Sequence, residues 1–230
     1  MLKIYQNNLS AKMNKNYSKA KKINKRKIGT LNTRPFILIV CEGTRTEPNY
    51  FRSFEIFTND VIDLDVEGLG KHTLDLVEKA DLIKKKNEKN KGINYSIVWV
   101  VFDKDSFSDE EFNLAIDKAK NKSFKVAYSN ECFEIWYFLH FYFCDSSIDR
   151  HNLFRKIDDI FHKEYKCSYE KNAENIYNLI IEKQDFAIKN AKCLFDYFNS
   201  NKISPAKSNP STTVFLLVKE LNEYKKNNVL

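Results

Sequence analysis

Two runs of apolar residues, each stopped by acid, constrain this chain more than any other feature. Ile37-Leu38-Ile39-Val40-Cys41 ends at Glu42-Gly43, and Ile97-Val98-Trp99-Val100-Val101-Phe102 ends at Asp103-Lys104-Asp105. Neither run alternates with polar residues. Each therefore reads as a strand covered on both faces, as in a parallel sheet with helices on either side. In an open α/β sheet, ligands bind in the crevice beyond the carboxyl ends of the strands. Glu42, Asp103 and Asp105 fall there together if their strands are neighbours.

The segments between and after these runs complete an alternation. Residues 36–41 form the first strand. A helix of about ten residues follows Gly43, with Pro48 in its first turn, where a missing N–H costs nothing. Tyr50, Phe51, Phe54 and Phe57 recur on its buried side. Residues 60–66 read as a second strand and Gly68-Leu69-Gly70 as a turn. Residues 73–86 form an amphipathic helix with Leu74, Val77, Leu82 and Ile83 inward, and a Lys/Asn loop ends at Gly92. The central strand covers residues 95–102. A helix over 109–121 takes Ser108 as its N-cap. A short strand over 124–128 precedes a helix that opens near Cys132 and carries Phe133, Trp136 and Tyr137. The pattern predicts an α/β fold: an open, mainly parallel sheet with right-handed crossovers. The chain then divides into a basic extension (1–35), an α/β core (36–145) and a C-terminal helical region (146–230). In that last region, residues 149–165, 173–200 and 211–224 have helical periodicity and form a layer or subdomain packed on the sheet.

The formal charge of +7 is unevenly distributed. Residues 1–35 hold ten of the 38 Lys/Arg and no Asp/Glu, which leaves 28 basic against 31 acidic residues, a net of −3, in the remainder. The extension is either a contact for a phosphate backbone, favoured by counterion release, or a solvated tail. The five cysteines are widely spaced with no C-x-x-C pair, so neither a zinc site nor a disulfide framework is indicated. Cys41 and Cys132 read as small buried apolar residues, and a reducing cytoplasm is the expected compartment. No segment reaches the roughly 18 uninterrupted apolar residues of a membrane span.

Crowded carboxylates repel and raise one another's pKa unless a cation neutralises them. Mg²⁺, or Mn²⁺ in its place, takes hard oxygen ligands and bridges to substrate phosphate. The residues thus point to a divalent-metal site of Glu42, Asp103 and Asp105. The alternative for each acid taken singly is a turn or cap role. Arg45, in the loop after Glu42, either binds phosphate bidentately or is an ordinary loop arginine. His140, among aromatics, is read as a hydrogen-bonded core residue.

Glu-Gly after the first strand and Asp-x-Asp after a later one resemble the Toprim fold of topoisomerases, primases and OLD-type nucleases. Four blocks together look like the RloB family. They are Cys41-Glu42-Gly43-x-x-Thr46-Glu47-Pro48-x-Tyr50-Phe51, Phe102-Asp103-x-Asp105, Ser129-Asn130-x-x-Phe133-Glu134-x-Trp136 with Leu139-His140-Phe141, and Asn209-Pro210-Ser211-Thr212. They run in order over about residues 36–220. The resemblance implies that Glu42 is the Toprim glutamate and that Asp103 and Asp105 are the metal-binding pair. Glu47 is a further ligand or general base, or else it stabilises the first turn of its helix through the macrodipole. Asn130 faces the metal on this reading, and Lys104 and Lys125 are candidates for the active-site lysine of some Toprim nucleases. The implied activity is Mg²⁺-dependent hydrolysis of DNA or RNA, tRNA included, in an anti-phage or abortive-infection system beside an ABC-like ATPase. The alternative is a non-catalytic adaptor binding nucleic acid or that ATPase. Homo-oligomer formation through the aromatic-rich helices is left open, and no membrane partner is expected.

Overall fold

The structure is a computed structural model that describes residues 35–58, 63–70, 73–105 and 107–226. The basic extension before residue 35, Val61 and Ile62 of the second strand, Lys71, and the side chains of Phe57 and Leu74 lie outside the described residues.

Alternation of side chains about an apolar strand decides the layering. In β1 (Phe36–Cys41), Ile37, Ile39 and Cys41 enter one core while Leu38 and Val40 enter another. In β3 (Tyr95–Asp103), Trp99 and Val101 join the first core, and Val98, Val100 and Phe102 the second. A strand with two buried faces leaves no place for a polar residue until its end.

The sheet order is β2-β1-β3-β4-β5, with β2 at Asp63–Gly68, β4 at Lys125–Asn130 and β5 at Ser211–Thr212. The first four strands are parallel and β5 is antiparallel to β4. From β1 the chain runs outward to β2, then returns to β3 on β1's other side. The strand order therefore reverses between β1 and β3, the place where open α/β sheets form their crevice. Helix α1 (Thr46–Thr58) lays Tyr50, Phe51 and Phe54 on the first core. Helices α2 (Thr73–Lys91) and α3 (Asp109–Asn121) cover the second with Leu76, Val77, Ala80, Phe112, Ala115 and Ile116. The mainly parallel α/β sheet expected from the sequence is what the chain forms, in keeping with a Toprim-like arrangement. Ser108 caps α3 with the reciprocal Glu111 bond of a capping box.

The C-terminal elements are α4 (Glu134–Phe138), α5 (Arg150–Tyr165), α6 (Ile176–Ile180), α7 (Gln184–Ser200) and α8 (Val214–Lys226). Leu153, Ile157, Leu194, Leu217 and Val218 from α5, α7 and α8 share the first core with α1. Residues 173–200 split into α6, a 3₁₀ turn (Ile181–Lys183) and α7. Three local expectations are corrected. Leu82 is 64% exposed, because Leu76, Val77 and Ala80 set the buried stripe of α2 and Leu82 falls well round the helix from it. The presumed Lys/Asn loop is the end of α2, which continues to Lys91 with pairs Lys85–Asp81 (2.9 Å) and Lys84–Glu88 (3.4 Å) at i,i+4. Ser211 and Thr212, expected to be helical, instead form β5. Thr213 closes the junction: its N–H donates to the Tyr128 carbonyl (2.8 Å) and its Oγ1 accepts from the Tyr128 N–H (2.9 Å).

Candidate acidic site at the strand ends

At the reversal between β1 and β3 lies a cavity of about 470 Å³, lined by Glu42, Glu47, Asp103, Asp105 and Glu134, with Arg45, Arg150 and Lys171 among the other lining residues. Of the three acids expected together, Glu42 and Asp103 are joined by a hydrogen bond, while Asp105 lines the same cavity but is paired with Arg150. Glu42 N–H donates to the Val101 carbonyl (2.9 Å), which prolongs the β1–β3 ladder, and the Asp103 N–H donates to Glu42 Oε2 (3.2 Å).

Glu47 sits in the first turn of α1, yet it does more than complement the helix end. It is only 5% exposed, and its Oε1 accepts from the Gly43 N–H (3.3 Å). A β-carbon on Gly43 would stand 2.2 Å from Glu47 Oε2. The Glu47 carboxylate thus occupies the volume of the glycine's missing side chain, and a larger residue at 43 would displace that carboxylate from its place in the cavity. The Gly68–Gly70 turn braces the same loop: Leu69 N–H donates to the Cys41 carbonyl (3.1 Å) and Gly70 N–H to the Glu42 carbonyl (2.6 Å).

Glu134 is the residue that reasoning from strand ends missed. It opens α4, is 1% exposed, and accepts from the Tyr169 hydroxyl at Oε1 (3.3 Å). Its signal in the sequence is a lone carboxylate inside Phe133-Glu134-Ile135-Trp136-Tyr137-Phe138, since an acid is almost never fully buried without purpose. Arg150, Lys171 and Asn172 also line the cavity, from the C-terminal region. There the segment following α5 is tied to α1. Thr46 Oγ1 donates to the Lys171 carbonyl (3.1 Å) and Asn49 Nδ2 to the Asn172 carbonyl (3.3 Å). No local pattern marks Lys171 and Asn172, because contacts spanning some 125 positions bring them in.

The electrostatics follow from burial. Loss of water pushes the Glu42 carboxyl up from the usual 4.5 to about 7, with Glu47 and Asp105 adding to the rise and the Asp103 amide opposing it. Burial likewise raises Asp103 well above the usual range, reinforced by Glu47, Glu134 and Glu42. Glu47 is raised by burial and by Glu134. Asp103 Oδ1 is buried with no hydrogen-bond partner.

Whether a divalent cation fits can be judged on these facts. The donor set is all carboxylate, which suits Mg²⁺ or Mn²⁺, and the orphaned Asp103 oxygen with mutually raised neighbours is an environment that a cation relieves. Among the described residues, however, no three His, Cys, Asp or Glu side chains converge to make a closed ligand set. Mg²⁺ needs none: it keeps several waters and is held by one or two carboxylates together with substrate phosphate. Glu42 and Asp103 are the pair suited to this. Asp105 lines the cavity but is drawn aside, its Oδ2 paired with Arg150 Nη2 at 3.1 Å. At its partial exposure such a pair contributes about 0–1 kcal/mol.

Of the expected substrate-binding residues, Arg45 is on the cavity wall and exposed. Lys104 is not among the lining residues: its Nζ donates to the Phe107 carbonyl and pairs with Asp109 (3.4 Å). Asn130 is buried and structural, its Nδ2 donating to the Pro205 (3.2 Å) and Ala206 (2.9 Å) carbonyls. Lys125 pairs with Glu220 (2.7 Å), outside the cavity. Lys171 is the lysine that lines it. His140 is buried, with Nδ1 2.8 Å from the Trp136 carbonyl, and burial lowers its pKa to about 4, so it stays neutral in the core.

The family model described as RloB-like protein matches residues 37–221. The chain belongs to the RloB-like family. No curated protein matches it, and no solved structure does. The matched span takes in the acids at the ends of β1 and β3 and at the starts of α1 and α4, as well as Arg150 and Lys171, so the whole cavity belongs to the RloB-like region.

Proposed function

We propose that this RloB-like protein is a Mg²⁺- or Mn²⁺-dependent phosphodiesterase that hydrolyses DNA or RNA, acting as the effector of an anti-phage system. The observation that carries this reading is the crowding of Glu42, Glu47, Asp103 and Glu134 into one cavity with an unpartnered Asp103 oxygen, beside Arg45, Arg150 and Lys171. Uncompensated carboxylates at a strand-order reversal are costly to the fold, and a cation together with a phosphodiester would offset that cost. Glu42 and Asp103 would hold the ion, which supplies Lewis acidity and an activated water. Arg45, Arg150 and Lys171 would take non-bridging phosphate oxygens, the arginines through paired donors. Glu47, whose carboxyl burial and the neighbouring Glu134 push upward, would hold or pass a proton beside the ion.

A second reading, a non-catalytic adaptor for nucleic acid or an ATPase partner, draws on the lack of three convergent acids among the described residues. One experiment separates the two. Purified protein is incubated with plasmid DNA and with total RNA, with and without Mn²⁺, alongside Asp103→Ala. Mn²⁺-dependent cleavage that Asp103→Ala abolishes is the expected result. A folded Asp103→Ala protein with full activity would sink the catalytic reading.

A further inference from the structure

The Asp105–Arg150 pair sits where a third ligand is missing. Its two members are anchored by one residue. Asp105 N–H donates to the Glu131 carbonyl (3.0 Å), and Arg150 N–H donates to Glu131 Oε2 (2.8 Å). With both backbones fixed to Glu131, the pair can be exchanged only by rotating side chains. Asp105 is further held at φ +38°, a conformation uncommon outside glycine, which sets the direction from which its carboxylate leaves the chain. The guanidinium is only part-used. Nη2 engages Asp105, the guanidinium also contacts the Cys132 thiol, and Nε is buried without a partner. A guanidinium on the wall of a cavity, engaged there by one carboxylate oxygen through Nη2, is a site for which a phosphate oxygen can compete.

We infer that Arg150 is a positioning residue that keeps Asp105 away from Asp103 and Glu42 until a phosphate group takes the guanidinium, so that phosphate and divalent metal bind cooperatively. This rests on the metal-dependent reading above and deepens it. In the resting protein Asp105 is neutralised by Arg150, and two carboxylates remain for the ion. A phosphate that accepts from Arg150 frees Asp105 to turn inward as a third oxygen donor. The ordering prevents a metal from settling fully in a site that holds no substrate. By linkage, the factor by which phosphate tightens metal binding equals the factor by which metal tightens phosphate binding.

Mn²⁺ binding to the full chain, measured by electron paramagnetic resonance with and without thymidine 5′-monophosphate, tests this without reference to cleavage. The wild type is expected to bind Mn²⁺ about tenfold more tightly with the nucleotide present. Arg150→Gln is expected to bind Mn²⁺ tightly without it and to lose the coupling. Asp105→Asn is expected to erase that tightening in the double variant with Arg150→Gln, and circular dichroism of each variant checks folding. If Arg150→Gln tightens Mn²⁺ binding equally in the Asp105→Asn background, Arg150 acts only through its charge and the inference is overturned. It is equally overturned if wild type and Arg150→Gln show the same coupling. If no variant binds Mn²⁺ with or without nucleotide, while all are folded, the metal reading itself has failed.

Discussion

Asp103 has an oxygen that is buried and unpartnered, among carboxylates that push one another's pKa upward. Its charge opposes the fold when no cation is bound. Asp103→Asn is therefore expected to stabilise the metal-free protein by about 1–2 kcal/mol, read as a rise in Tm of a few degrees, while abolishing metal-dependent activity. A fall in Tm would mean that the carboxylate makes net favourable contacts in the fold. Glu42 and Asp103 were legible from the sequence, because an apolar strand that halts at an acid marks both the position and the chemistry. Glu134 and Lys171 were not read. The first is masked by aromatic neighbours that also suit a plain core helix, and the second reaches the cavity only through the pairing of α1 with a segment 125 positions away.

At the scale of elements, boundaries followed local chemistry where that chemistry was strong. The Ser108–Glu111 capping box fixed the start of α3. Ser108→Ala is expected to cost about 1 kcal/mol in urea or thermal melts and to leave Mn²⁺ binding unchanged, since α3 begins outside the acidic cavity. A change in Mn²⁺ affinity would show that α3 and the strand-end loop are coupled. Boundaries were misplaced where two chemistries compete. The lysines after residue 83 suit both a polar loop and an exposed helix, and the ion pairs that settle it for helix arise only once the helix exists. The Ser211-Thr212-Thr213 segment suits a helix start by composition, yet the Thr212 and Thr213 hydroxyls and the Thr213 amide are taken by Tyr128 and Ser129 across 83 to 85 positions, and the Ser211 hydroxyl turns back to Ser208. The fold class needed none of these long-range facts, because two doubly buried strands already demand helices on both faces.

For the molecule as a whole, the acidic cavity couples stability to pH and to cations. The folded-state pKa of Glu42 is raised, so the stability linked to its protonation is fully present below about 4.5 and is lost as pH rises through about 7. Asp103 and Glu47 shift in the same direction. The Tm of metal-free protein should fall between pH 5 and pH 8, and millimolar Mg²⁺ should restore it at the upper end. A Tm that is flat with pH, and unmoved by Mg²⁺ at pH 8, would contradict this. The basic extension makes a separate demand. Deleting residues 1–33 should weaken nucleic-acid binding and flatten its salt dependence, by up to about 0.9 in the log–log slope for each phosphate contact removed. An unchanged slope would assign the extension no part in binding. The two-residue β5 has a consequence for synthesis. The carboxyl-terminal half of the outer edge of β4 is covered by Ser211, Thr212 and Thr213, which leave the ribosome some 80 residues after β4 itself. Until then the nascent sheet carries an uncapped strand beside an aromatic core still lacking α8, and such edges recruit other chains. Residues made long after β4 are thus the ones that end its exposure to misassembly, and a stop codon shortly before Ser211 should yield insoluble protein even though every acid of the cavity has been translated.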